Sequence, residues 1–160
     1  ARVLRLRTWR LPLWEAVQIG LGFAIPVLLA AHFMVTRGLS SSAGVDDTYT
    51  VQLRLLWPGL AWDQSILLLV VWLHAMMGLH HWLKLTRFYE TAKPALLVLA
   101  VLVPTLALVG WIEAAREVAG RSYAQPPMTP AQIAAGGVLI ERAQTVVWSL
   151  FGIGLAALVV

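Results

Sequence analysis

Residues 65–85 read SILLLVVWLHAMMGLHHWLKL, with no Asp, Glu, Lys or Arg before Lys84. A helix rises about 1.5 Å per residue and a bilayer core is about 30 Å thick, so about 20 apolar residues span it. The stretch therefore predicts a transmembrane helix. It also holds His74, His80 and His81, three of the four histidines in the chain.

Working outward, three further stretches meet the same length criterion: 13–36, 94–112 and 143–160. The first carries Glu15 and Gln18 near its start, Pro26 in its middle and the fourth histidine, His32, near its far end. The third opens on Pro94, a residue suited to the first helical turn. It holds Pro104 inside, where helices packed alongside can satisfy the freed backbone. The fourth follows Glu141 and Arg142. The expected fold is an all-α membrane protein. Four transmembrane helices form one bundle over residues 1–160, with an outer loop at 37–64.

Composition agrees. The 160 residues are 59% hydrophobic and 12% charged, with a mean hydropathy of +0.76, whereas soluble domains are roughly 45–50% apolar and about 25% charged. With no cysteine, disulfides, thiolate-held zinc, iron–sulfur clusters and thiol catalysis are excluded. A metal or cofactor would need His, Met or carboxylate ligands. The net charge of +4 does not indicate nucleic acid, because the bases flank apolar segments and form no stripe. The partner this composition calls for is the lipid bilayer.

The flanks predict orientation. Arg2, Arg5, Arg7 and Arg10 precede the first span, and Lys84, Arg87 and Lys93 sit between the second and third. The loop at 37–64 has only Arg37 and Arg54 against Asp46, Asp47 and Asp63. Because cations concentrate on the cytoplasmic side, a multi-pass chain with both termini cytoplasmic is expected. The basic start resembles a signal peptide, but its apolar run is too long and lacks a small-residue cleavage site. Trp14, Trp57, Trp62, Trp82 and Trp111 fall near predicted span ends, where indoles settle.

Ionisable residues inside membrane helices are costly and mark functional sites. A single histidine is as readily a packing residue, but four together point to a shared task. His74 and His81 are seven residues apart, so they share a helix face about 10.5 Å apart in depth, while His80 points about 120° away from His74. Zinc wants three or four tightly clustered ligands, which this spacing does not supply. Haem b wants an imidazole from each of two helices with apolar walls between them. His32 and His74 both fall in the outer half and could clamp one haem. His80 or His81 would serve a second haem near the inner surface, its other ligand coming from a further segment or another subunit. Gly78 removes a side chain where a bulky group could approach the helix. Met76 and Met77 are weaker ligand candidates. Arg87, Tyr89 and Lys93 are placed to meet propionates, and Glu15 and Gln18 to meet a quinone headgroup. No phosphate loop, nucleophile–base pair or carboxylate pair is present, so no catalytic residue is assigned.

One resemblance rests on Arg10-Leu-Pro-Leu-Trp-Glu-Ala16, Gly22-Phe-Ala-Ile-Pro26, His32, Asp46-Asp-Thr-Tyr49, Trp72-Leu-His74, Gly78-Leu-His80 and Ala114-Ala-Arg-Glu-Val118. Through about Gly120 the chain resembles the six-helix, b-haem-binding membrane anchor of certain bacterial class III adenylate cyclases. That anchor is itself similar to the cytochrome b anchors of succinate dehydrogenase and fumarate reductase. The resemblance implies helices three to six of such an anchor in a bacterial inner membrane, with two upstream helices bringing further histidines. It also implies two haems, a following cytoplasmic ferredoxin-like or cyclase domain, and quinone-pool sensing that biases the cyclase. By position it makes His32, His74 and His80 the haem ligands and does not require His81. Two other readings stand beside it: a quinone-reactive cytochrome b subunit of a respiratory oxidoreductase, and a structural membrane subunit.

Overall fold

The computed structural model describes residues 12–124 and 126–159, without the side chains of residues 155, 158 and 159. The basic residues Arg2, Arg5, Arg7 and Arg10, on which part of the orientation rests, lie outside the described residues. Within them every regular element is helical. Helix α1 (Leu13–Phe33) passes through a π-helical turn at Met34–Gly38 into α2 (Leu39–Ala43). A short helix α3 (Tyr49–Leu56) precedes α4 (Ala61–Leu83), α5 (Tyr89–Ala119) and α6 (Pro130–Val159).

Among the described residues three helices are long and apolar enough to cross a membrane: the continuous Leu13–Ala43 rod, α4 and α5. Of the stretch expected as a fourth span, 143–160, the described part to Val159 lies in the second half of α6, whose middle carries Glu141 and Arg142. The outer segment differs from the expected loop. Its first seven residues extend the first helix to Ala43, where Gly44 (φ 61°) ends it in the left-handed conformation that glycine tolerates. Most of what remains is α3 and the start of α4. Helix α5 begins at Tyr89, five residues before Pro94, because Tyr89 is anchored beneath α4 as described below.

Packing neighbours run α6, α1, α4, α5 in order, with α3 covering the C-terminal end of α5. There Leu53 meets Ala115 and Val118, with Trp57 edge-on to Trp111. The outer end of the first helix packs on α6, where Leu39 lies 3.2 Å from the position a Cβ would take on Gly136. Few side chains are buried and α1 has none that are fully so. Leu97, Val98, Val101 and Leu106 on α5 are all more than half exposed. In lipid such a surface is solvated by acyl chains, so packing depends on shape and interhelical hydrogen bonds rather than on hiding apolar area.

Candidate functional site

Two seams on α4 hold the polar chemistry. The first faces α1. Gln18 and Gly22 are one turn apart on α1, as are His74 and Gly78 on α4, and the helices run antiparallel. The His74 ring lies across Gly22, where an added Cβ would sit 3.1 Å from its Cε1. His74 Nδ1 bonds the Gln18 carbonyl oxygen at 3.2 Å, and Gln18 Nε2 donates back to the His74 carbonyl oxygen at 3.3 Å. The group opposite Gly78 is the Gln18 amide, 3.6 Å from where a Cβ would lie.

The second seam faces α5 and opens into a cavity of about 770 Å³, lined by apolar side chains from both helices and by Trp14 of α1, and reached by His80 and His81. Its rim carries Lys84, Tyr89 and Lys93. Two hydrogen bonds set its shape. Pro104 has no N–H to offer the carbonyl of Ala100 four residues earlier, and the Trp72 indole fills that place, donating to Ala100 O at 2.8 Å. At the inner end the buried Tyr89 hydroxyl bonds His80 Nδ1 at 2.5 Å. The two imidazoles are nearly perpendicular, centroids 5.4 Å apart.

Partner chemistry assigns the protons. A carbonyl oxygen only accepts, so a ring nitrogen bonded to one must carry hydrogen, and the other nitrogen then holds the free lone pair. His74 meets that condition through Gln18 O, and so does His81, whose Nδ1 donates to Met77 O one turn back at 2.8 Å. Both therefore offer Nε2 as a ligand atom, the arrangement in which a second hydrogen bond orients a ligating imidazole. His80 is different: a tyrosine hydroxyl gives or takes a proton, so Tyr89 leaves its tautomer open.

His32 stands apart. The contacts that put Gly22 opposite His74 place His32 ten residues farther out along α1, about 15 Å in depth, level with the first turn of α4. The expected clamp of one haem between His32 and His74 is not assembled, because the packing register of α1 on α4, not each residue's distance from its span end, sets relative depth. His32 Nδ1 and Gln64 Oε1 are both buried without a hydrogen-bond partner. Among the described residues no three His, Asp or Glu side chains gather as a metal-holding group. Arg87 is exposed on the turn after α4 and does not line the inner cavity. Glu15 is exposed in the first turn of α1.

The reciprocal Gln18–His74 contact was missed at the level of sequence, although a signal exists. Each partner sits four residues before a glycine, and the carbonyl of residue i is covered by residue i+4 in a helix. Comparison of the chain with protein-family models, with curated proteins and with solved structures finds no match.

Proposed function

We propose that the chain is a haem-b-binding membrane anchor. The observation that carries this reading is the inner cavity between α4 and α5. There an imidazole with Nδ1 held by a main-chain carbonyl faces apolar walls beneath a cationic rim. A b haem is a flat apolar ring with two anionic propionates at one edge and an iron that takes imidazole nitrogen. The residues present fit it. His81 Nε2 would be the ligand atom, Leu96, Leu97 and Ala100 of α5 would supply wall, and Lys84 and Lys93 would pair with the propionates.

His74 Nε2 is the candidate ligand atom for the second haem, on the same face of α4 and about 10.5 Å farther into the membrane. Each haem would take a further ligand, which upstream helices or another subunit would supply. The haem, when bound, provides one-electron chemistry. The chain's own residues hold the ring, fix the imidazole tautomers and keep water away. By the resemblance, the anchor reports the state of the quinone pool to an attached cytoplasmic adenylate cyclase.

A reduced-minus-oxidised spectrum of the purified protein tests the reading. A b-type alpha band is expected, and its absence after expression with haem supply sinks it. A spectrum that persists unchanged in a His74→Ala, His81→Ala double variant sinks the ligand assignment alone.

A further inference from the structure

We infer that Gln18 and Gly22 are positioning residues for His74: together they lock its imidazole in the Nδ1-protonated tautomer and so present Nε2. The inference rests on the haem reading only for what Nε2 is for; the lock itself is a property of the protein.

The geometry is nearly symmetric. In α1 the Gln18 carbonyl is covered by the residue four later, Gly22; in α4 the His74 carbonyl is covered by Gly78. A carbonyl oxygen has two lone pairs, and the helical N–H uses one. Where the covering residue has no side chain, the second lone pair stays open to a donor from the neighbouring helix. His74 uses the opening at Gly22, with Nδ1 3.2 Å from Gln18 O, and Gln18 uses the one at Gly78, with Nε2 3.3 Å from His74 O. Each residue is thus donor through its side chain and acceptor through its main chain. In an apolar surround neither donor has water to turn to. Ring rotation that would bring Nε2 to the carbonyl must break the bond and pass the close approach of Cε1 to Gly22.

The two glycines are unequal. A Cβ on Gly22 meets the ring at 3.1 Å, whereas one on Gly78 meets only the Gln18 amide at 3.6 Å, and one on Gly20, half a turn away on α1, meets nothing within 4 Å. Gly22→Ala therefore displaces the imidazole, and Gly20→Ala is its control on the same helix.

The test is nitrogen NMR of the full chain, ¹⁵N-labelled at histidine in detergent micelles without haem, with His74 assigned through a His74→Phe variant. The expected result is a single tautomer with hydrogen on Nδ1 in the parent and in Gly20→Ala, and mixed tautomers in Gly22→Ala. Helical circular dichroism equal to the parent's shows that the variant is folded; should Gly22→Ala fail to fold, Gln18→Leu replaces it, with partial mixing expected. A His74 ring protonated on Nε2 in the parent overturns the inference, as does a tautomer unmoved in the folded variant. After haem loading, Gly22→Ala is expected to lower low-spin haem at this position several-fold relative to Gly20→Ala. A locked tautomer in a chain that takes up no haem leaves the lock standing and removes the haem reading.

Discussion

The two sides of α4 solve the same problem differently. Toward α1, polar groups meet polar groups directly: Gln18 and His74 close on each other across two glycines. Toward α5, large residues hold the helices apart. Trp72 and Tyr89 each reach a specific partner, Ala100 O and His80 Nδ1, and the gap they leave is the inner cavity. The difference lies in what covers each carbonyl. A glycine leaves it open to a neighbour at close range, whereas a proline leaves it without its helical donor and lets a long side chain reach it. Close seams fix orientation, and propped seams make room.

The comparison breaks most visibly at the propped seam. His81→Ala is expected to remove the haem proposed for the inner cavity, seen as loss of its share of the b-type absorbance, while His80→Ala retains most of it. The opposite pattern would return the ligand role to His80, as the resemblance has it. Next in size, Trp72→Phe keeps the ring and loses the donor to Ala100 O. Interhelical hydrogen bonds in membrane proteins average about 0.6 kcal/mol and reach about 1.7. Because this carbonyl has no helical donor, a loss near the upper value is expected in detergent unfolding, together with weaker haem retention.

At the close seam, Gly78→Ala is expected to cost under about 1 kcal/mol of unfolding stability, since the new methyl stands at ordinary contact distance from the Gln18 amide. A cost equal to that of Gly22→Ala would mean the two halves are equivalent after all. The smallest effect belongs outside both seams. Arg37 and Asp47 pair beyond the first helix's apolar stretch with both side chains well exposed, so Arg37→Ala should change stability by about 0.5 kcal/mol or less and leave any b-type absorbance unchanged.

Much of the fold was legible because spanning a bilayer is a one-dimensional demand. Ser65–Leu85 needed only its length and lack of charge to be read as a membrane helix, and α4 differs from that reading by four residues at one end and two at the other. Glu113 and Arg116 pair at 3.7 Å, one turn apart on a helix that outlasts its apolar stretch. The outer segment was harder. Residues 37–43 carry no apolar run, yet they continue a helix already nucleated, and propagation costs less than initiation.

The candidate site was legible in part. That His74 and His81 share a face follows from a separation of seven, and both prove to have Nδ1 on a main-chain carbonyl. The depth of His32 relative to His74 did not follow, because it depends on how α1 slides against α4. Gln18 was placed near a quinone headgroup by its position near the inner end of α1; in the structure it is committed to His74.

The amino-acid sequence by itself determined that the chain lives in lipid, where its helices run and which residues have ligand chemistry, because hydropathy and helical period act along one chain. Only the tertiary structure decided which of those residues meet. Register, tautomer and open space are set between helices: by where Gly22 lets α1 and α4 touch, by Pro104 giving Trp72 its partner, and by Tyr89 tying the start of α5 to His80.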